Sequence, residues 1–228
     1  MKFVKFGVVA SAFFFSAVAE SLAGVTIYAD QASFNAATSG ITTIGFEGIA
    51  PADGFTAYGP GGSLTLSGVT FTAGAGVDLF VNSSTYYAVN QPPSYDLGSG
   101  DYLLAGNLAP TLLDVQLPGS GMSAVAFYFG TFDDSTSQVQ ITLSTGDVLT
   151  LSASYPTSTF VGFTSTSPIT SLELLITGGD RQDTLTLDNF QFGTVVPEPG
   201  SIIVLCIGLT TVCGINWLRR RESLVHGS

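Results

Sequence analysis

The sequence of 228 residues predicts an all-β fold, a β-sandwich with one apolar helix near each end. Three observations favour this fold class. Short runs rich in β-branched and aromatic residues recur about every ten residues through the middle of the chain, separated by Gly, Pro, Ser and Asp. That middle part contains a single short helical pattern. Each terminus carries a longer apolar run, and the roughly 170 residues between the two runs suffice for one sandwich domain.

The N-terminal apolar run has the layout of a secretory signal peptide. Lys2 and Lys5 precede the apolar stretch Phe6–Val18, and small residues follow it. Cleavage after Ala19 or after Ala23 would satisfy the preference for small residues, and we favour Ala23. The predicted signal peptide is therefore residues 1–23, with an uncleaved anchor helix as the alternative. In both cases the following segment lies outside the cytoplasm.

Residues 24–193 form the predicted β-sandwich domain, with one helix at Asp30–Ala37 that Asp30 caps and whose Phe34 and Ala37 face the sheet. Residues 50–62 and 90–100 are predicted to be long loops, since they are rich in Gly and Pro. The predicted strands are, in chain order, Val25–Tyr28, Thr42–Phe46, Ser63–Leu66, Val69–Thr72, Leu79–Asn82, Tyr102–Leu104, Leu112–Gln116, Ala124–Phe129, Gln138–Leu143, Val148–Ser152, Phe160–Phe163, Ile169–Ile176 and Leu185–Phe192.

Two of these strand predictions rest on a clear local pattern. Apolar and polar residues alternate in Gln138–Leu143 and again after Asp147, and Gly146 between them can adopt the positive φ of a tight hairpin turn. In the last strand two inward-facing pairs flank a polar dipeptide. The pairs are Leu185 with Leu187 and Phe190 with Phe192, and the dipeptide is Asp188–Asn189.

The C-terminal apolar run predicts a transmembrane helix. Ser201–Leu218 contains no charged residue and as a helix would be about 27 Å long, close to the thickness of the bilayer's hydrocarbon core. Arg219, Arg220 and Arg221 follow directly and would keep residues 219–228 in the cytoplasm. A short linker, residues 194–200, joins this helix to the sandwich and contains the sequence Val196-Pro197-Glu198-Pro199.

The Pro-Glu-Pro motif, the apolar span and the arginine cluster, in this order, resemble the tail of PEP-CTERM sorting-domain proteins, which are exported bacterial proteins. The resemblance covers only this C-terminal part of the chain. It implies that an exosortase-type membrane enzyme recognises Val196, Pro197, Glu198 and Pro199 and processes the tail there. It also implies a mature protein at the cell surface or in the extracellular matrix of an exopolysaccharide-producing Gram-negative bacterium.

The composition of the exported part excludes several classes of function. Between residues 24 and 200 Arg181 is the only basic residue beside 15 of the 17 acids, which gives a net charge of −14. The single histidine, His226, lies after the predicted transmembrane helix, and both cysteines, Cys206 and Cys213, lie within that helix. We therefore expect neither nucleophilic catalysis with a histidine base, nor a zinc site, nor nucleic-acid binding. Any catalysis would depend on carboxylates and tyrosines.

Two candidate sites remain. Leu185–Gly193 resembles the last strand of jelly-roll sandwiches, including carbohydrate-binding modules, and this resemblance implies a structural calcium ion between Glu47 and Asp188. The alternative is that Asp188 and Asn189 only satisfy nearby backbone amides at a strand irregularity. Separately, three tyrosines in or near the predicted loops form a candidate carbohydrate-binding edge, namely Tyr86, Tyr87 and Tyr95.

The sequence thus favours a non-enzymatic, exported protein with a structural or adhesive role linked to exopolysaccharide. The alternative is a calcium-stabilised carbohydrate-binding module, and a third hypothesis is a glycoside hydrolase that uses a pair of carboxylates. The predicted partners are an exosortase, the membrane and extracellular polysaccharide, without nucleic acid.

Overall fold

A computed structural model describes residues 21–22, 24–86, 100–106, 111–131, 137–153, 157–177 and 184–196. The helix α1 (Gln31–Ala37) and fifteen strands occupy most of this part, and residues 84–86 are also helical. The strands are β1 (Ser21–Leu22), β2 (Val25–Tyr28), β3 (Thr38–Ile44), β4 (Phe55–Pro60), β5 (Ser63–Leu66), β6 (Val69–Ala73), β7 (Asp78–Asn82), β8 (Tyr102–Gly106), β9 (Leu112–Gln116), β10 (Met122–Thr131), β11 (Ser137–Leu143), β12 (Val148–Ala153), β13 (Thr159–Ile169), β14 (Ser171–Thr177) and β15 (Leu185–Val195).

The strands form two antiparallel sheets. The large sheet has nine strands in the order β1-β2-β13-β10-β15-β8-β7-β4, and β3 also pairs with β15. The small sheet has six strands in the order β12-β11-β14-β9-β6-β5. The prediction of an all-β fold with two packed sheets is therefore confirmed.

The inward faces of the two sheets share one hydrophobic core. Phe71 of the small sheet meets Phe190 of the large sheet edge to face, with the ring centroids 5.3 Å apart. Phe127 stacks on the same Phe190 ring at 5.9 Å, with the planes 10° apart. Offset and edge-to-face contacts of this kind stabilise aromatic pairs beyond the area that they bury. The rings thus join the sheets at the centre of the sandwich.

The helix α1 covers part of the outward face of the large sheet. As predicted, Asp30 is its N-cap, and the Ser33 N–H donates to Asp30 Oδ1 at 2.8 Å. Phe34 is fully buried in a second, smaller cluster with Ala126 and Phe160. The close approach requires a glycine on the sheet, because a Cβ at Gly162 would lie 2.6 Å from Phe34 Cδ2.

Each predicted strand overlaps a strand of the structure, and three have the predicted bounds, namely Val25–Tyr28, Ser63–Leu66 and Leu112–Gln116. The ends of the others shift, and the predicted strand Ile169–Ile176 runs across the break between β13 and β14. The hairpin prediction is confirmed in detail, since β11 pairs with β12 and Gly146 has a φ of 92°. One prediction was wrong. Within the predicted loop 50–62, residues Phe55–Pro60 form the edge strand β4, which pairs with β7. The strand was missed because Gly59 and Pro60 are typical of loops, although an edge strand can contain them.

The central strand β15 arranges the candidate site. One of its edges pairs with β10. Its other edge is shared end to end by two strands: β8 pairs with Leu185–Leu187, and β3 pairs with Phe190 and the residues after it. Asp188 and Asn189 lie between these two pairings. The segment that leaves β3 and the segment that enters β8 therefore meet beside this dipeptide.

Among the described residues no helix is long and apolar enough to cross a membrane. The predicted signal peptide lies outside them, apart from Ser21 and Leu22, which form β1. This strand follows the possible cleavage position at Ala19 and precedes the one at Ala23. Residues 201–218 and the arginine cluster also lie outside the described residues.

Candidate functional site

The two predicted calcium ligands are Glu47, which lies in the segment between β3 and β4, and Asp188, which lies on β15 beside the gap between β3 and β8. Glu47 follows the end of β3, where Phe46 adopts a left-handed φ of 60°. Asn189, next to Asp188, is also left-handed, with a φ of 48°. Glu47 Oε1 and Asn189 Oδ1 are each 3.9 Å from the position that a Cβ on Gly45 would occupy. The fold thus brings the carboxylate of Glu47 into the neighbourhood of the Asn189 side chain.

A third acid, Asp101, completes this cluster and was not predicted. The Asp101 N–H donates to Glu47 Oε2 at 3.2 Å. In return Asp101 Oδ2 accepts the N–H groups of Gly48 at 3.1 Å and Ala50 at 3.3 Å. We call Glu47, Asp101, Asp188 and Asn189 the junction cluster. Its members come from three segments that are distant in sequence, so only the sheet topology brings them together.

Asp188 is the most deeply buried acid of the cluster, with none of its surface exposed. Its Oδ1 accepts the N–H of Asn189 at 2.6 Å, and its Oδ2 accepts the Asn189 side-chain amide at 3.2 Å. These contacts correspond to the alternative in which the dipeptide satisfies amides at a strand irregularity. The irregularity is visible in the pairing with β10, where the register shifts between Ala126 and Tyr128.

The junction cluster consists of side chains whose oxygens accept hydrogen bonds. The described part of the chain contains no Lys, Arg or His. Within it, no group of three or more His, Cys, Asp or Glu side chains is placed to hold a metal ion. A calcium ion at the junction would therefore need the side-chain oxygen of Asn189 or backbone carbonyls besides Glu47 and Asp188. Backbone amides are the partners that the structure gives to Glu47 and Asp101.

The second candidate site contains Tyr86 but differs from the prediction in its other members. Tyr87 and Tyr95 lie outside the described residues. Tyr86 contacts Phe55 of β4 edge to face, with the centroids 5.4 Å apart, and Phe55 contacts Phe80 of β7 in the same way at 5.6 Å. We call these three rings the aromatic corner. Phe55 and Phe80 were not among the predicted site residues, and Phe55 lies in a strand that was predicted to be a loop.

The aromatic corner lies on the outward face of the large sheet. Leu79 and Val81 of β7 belong to the main core, so Phe80 between them faces away from it. Tyr58 of β4 packs against the core instead, and burial raises the pKa of its phenol above the ordinary value of 10.0. Phe55 has 45% of its surface exposed. The edge of the large sheet thus presents an aromatic ring to solvent.

Of the predicted sorting motif, only Val196 is described. It is exposed, and its N–H donates to the carbonyl of Ala37 at 2.9 Å. Pro197, Glu198 and Pro199 lie outside the described residues, as do Arg219, Arg220 and Arg221.

The chain matches no known family profile and no curated protein. It is similar to several solved structures at low identity. The K2 cleaved adhesin domain of Lys-gingipain matches with a TM-score of 0.41 and 12% identity, over 68% of this chain and 98% of the adhesin domain. CBM29-2, a family 29 carbohydrate-binding module, matches with 0.36 and 12%, over 64% and 98%.

A third structure, TmCBM61 in complex with β-1,4-galactotriose, matches with a TM-score of 0.36 and 13% identity, over 59% of this chain and 91% of that one. These scores are all below 0.5. The description of the fold therefore rests on the strand pairing given above.

Proposed function

We propose that this chain is the precursor of an exported, non-catalytic β-sandwich that associates with extracellular polysaccharide. The observation that carries the proposal is the contrast between the two candidate sites. The junction cluster uses the carboxylates of Glu47 and Asp101 to bind backbone amides of its own chain. The aromatic corner, in contrast, presents an exposed ring on an edge strand. The aromatic corner could therefore bind an external molecule, and it contains no group that would act as a catalyst.

The composition supports the same proposal. With Arg181 as the only basic residue between 24 and 200, the exported part has no histidine or lysine to activate a nucleophile. Carboxylate-pair hydrolysis is the remaining catalytic chemistry, and it would need two acids across an open cleft. Asp188, which is fully buried, is not available for such a role. We also propose that the sandwich has jelly-roll connectivity and that a structural calcium ion binds at the junction cluster.

Export and sorting form the second part of the proposal. The signal-peptide pattern and the tail with Pro197, Glu198 and Pro199 support secretion followed by exosortase processing, which would place the mature protein at the cell surface or in the matrix. Mass spectrometry of the mature C-terminus tests it. A C-terminus near Pro199 supports sorting, and an intact Arg219–Arg221 cluster means that the helix stays as a plain membrane anchor. Mature protein found only in the cytoplasm would overturn the export proposal.

The binding part is tested with the full-length chain, purified in a mild detergent, by electrophoresis through gels that contain soluble polysaccharides. Retardation by at least one polysaccharide supports association, and mobility unchanged by every polysaccharide overturns it. The same protein is incubated with each polysaccharide while reducing ends are measured. Release of reducing ends would replace the non-catalytic role with the hydrolase hypothesis.

A further inference from the structure

We infer that the aromatic corner is a stacking site for a neutral pyranose ring of a polysaccharide, with Phe55 as the ring that contacts the sugar. This inference rests on the proposed function and specifies both its site and its class of ligand. It also moves the site from the predicted Tyr86–Tyr87–Tyr95 edge to the edge strand β4.

The exposure of Phe55 is unusual within this domain. Three large apolar side chains are exposed among the described residues, and Phe55 is the one aromatic member beside Val148 and Val196. The other described phenylalanines are buried, except Phe80, which is half-buried. An aromatic ring that stays in water forgoes the stabilisation of burial, and such an exposed apolar surface marks a candidate interaction site.

The ring of Phe55 is also held in place. Its edge-to-face contacts with Phe80 and Tyr86 restrict it from two sides. The backbone next to it is tied to the turn that follows β7, since the Ser83 N–H donates to the Gly54 carbonyl at 3.0 Å and the Gly54 N–H donates to Ser83 Oγ at 3.2 Å. A ring that is already ordered loses little conformational entropy when a ligand binds.

Polar groups lie next to the aromatic corner, in the segment before β4 and in the segment after β7. The Asp53 N–H donates to Thr85 Oγ1 at 3.2 Å, which places these two exposed residues next to each other beside Phe55. Ser84 is exposed in the same turn. A pyranose has weakly polarised C–H groups on its face and hydroxyl groups around its rim. The C–H groups of the sugar face can stack on the negative surface of an aromatic ring, and the hydroxyl groups can donate hydrogen bonds to carboxylate and hydroxyl oxygens.

Charge selects among sugars. The exported part carries a net charge of −14, and the described part has no Lys, Arg or His that could receive a uronate or sulfate group. An anionic chain would therefore be repelled, while a neutral glycan would be unaffected. The ligands that suit the corner are therefore neutral polysaccharides.

The experiment measures the dissociation constant of the full-length chain, in a mild detergent, for laminarin and hydroxyethylcellulose as neutral polysaccharides and alginate as an anionic one. Three substitutions probe the ring. Phe55→Ala removes it, Phe55→Leu keeps an apolar cover over Phe80 without a flat π surface, and Phe55→Trp keeps the flat surface. Val148→Ala is the matched control, because Val148 is 48% exposed and belongs to the small sheet.

We expect the wild type to bind a neutral polysaccharide and not alginate. Phe55→Ala and Phe55→Leu should weaken binding by about tenfold or more, while Phe55→Trp and Val148→Ala stay within about threefold of the wild type. Thermal unfolding of each variant shows that the sandwich is intact, since substitutions of exposed residues alter stability little.

The other outcomes separate the inference from the proposed function. Binding of a neutral polysaccharide that Phe55→Ala does not change would overturn the aromatic corner as the site and leave the proposed function standing. Equal or stronger binding to alginate would overturn the assignment to neutral sugars. Absence of binding to all three polysaccharides would overturn this inference, and the wider panel described above then decides the proposed function.

Discussion

Glu47 and Asp101 hold each other's segments in place across the junction between β3 and β8. The carboxylate of Glu47 accepts the backbone N–H of Asp101, and the carboxylate of Asp101 accepts two N–H groups just after Glu47. Because hydrogen bonds to a charged acceptor are stronger than neutral ones, this reciprocal arrangement can fix two irregular segments without a cation. It explains why two acids lie side by side in a domain with so few basic residues.

A glycine beside this pair provides the first test. A Cβ at Gly100 would overlap the Glu47 carboxylate, and Gly100 also has a φ of 43°. We expect Gly100→Ala to lower the free energy of unfolding by about 2–4 kcal/mol, because it adds an overlap to a left-handed backbone. Chemical denaturation measures the change.

Gly76→Ala is the matched control for that experiment. Gly76 has a φ of 80° but no atom within 4 Å of the position that a Cβ would occupy, so only the backbone term of about 1 kcal/mol applies. In the double variant Gly100→Ala with Glu47→Ala, the loss of unfolding free energy should be smaller than the sum of the losses in the two single variants. Equal losses for Gly100→Ala and Gly76→Ala would contradict the packing of Glu47 described here.

Calcium binding at the junction cluster is tested by thermal unfolding. If an ion bridges Glu47 and Asp188, the Tm should be several degrees higher in 5 mM Ca²⁺ than in EGTA, because a ligand that binds only the folded state stabilises it. Glu47→Gln should remove this difference. Mg²⁺, which prefers a smaller octahedral site, serves as the control. A Tm that is the same in Ca²⁺ and EGTA would leave Asp188 and Asn189 with their role at the strand irregularity alone.

The seat of α1 on the large sheet gives a third prediction. Gly162→Ala should lower the free energy of unfolding by about 1–3 kcal/mol, since the added methyl group would meet the buried ring of Phe34. Gly45→Ala is a suitable control, because its Cβ would meet Glu47 Cγ at an ordinary 3.6 Å. Adding Phe34→Leu to Gly162→Ala should recover part of the loss. If Gly162→Ala is as harmless as Gly45→Ala, the helix does not pack as described.

The N-cap of α1 predicts a dependence on pH. The backbone N–H of Ser33, followed by its side chain, holds the pKa of Asp30 below the ordinary value of 3.8. The charged cap therefore stabilises the fold above pH 3.8, and its contribution is lost as the pH falls through the lowered pKa. The comparison with Asp30→Asn, which keeps an acceptor but does not titrate, isolates this effect.

We expect the Tm of the wild type relative to Asp30→Asn to decline between about pH 4 and pH 2, while Asp30→Ala has a lower Tm than the wild type at neutral pH. The titration of the other acids cancels in the Tm difference between the variants, because all variants contain the same other acids. A Tm difference that stays constant with pH would show that the charge of Asp30 does not contribute to the cap.

The strand β15 and the β11–β12 hairpin could be predicted from the sequence, because each depends on a pattern of neighbouring residues. In β15 the inward residues change from odd numbers, Leu185 and Leu187, to even numbers, Phe190 and Phe192. A strand whose side chains alternate can do this only through an irregularity. The left-handed φ of Asn189 lies at that point. The β11–β12 hairpin was predictable for the same reason.

Features that depend on pairing between distant segments were not predictable. The strand β4 contains Gly59 and Pro60, so only its partner β7 identifies it as a strand. Phe55 was missed together with that strand. Asp101 joins Glu47 because β8 and β3 share one edge of β15, and no pattern near Asp101 indicates this neighbour. The pairing of Glu47 with Asp188 around a calcium ion came from a resemblance to jelly-roll proteins rather than from the residues themselves, and it stays a prediction.

The position of β15 in the large sheet has a consequence for the order of events in the proposed export. This strand lies between β10, β8 and β3, and its partner β3 precedes it by roughly 150 residues. If the chain is exported as proposed, the sheet would close only after the end of the domain had crossed the membrane. Val196, which is bonded to Ala37, directly precedes Pro197. An enzyme that cuts at the Pro-Glu-Pro motif would therefore act next to a sheet that has just closed, and the rates of folding and cleavage would decide which form of the tail reaches the surface.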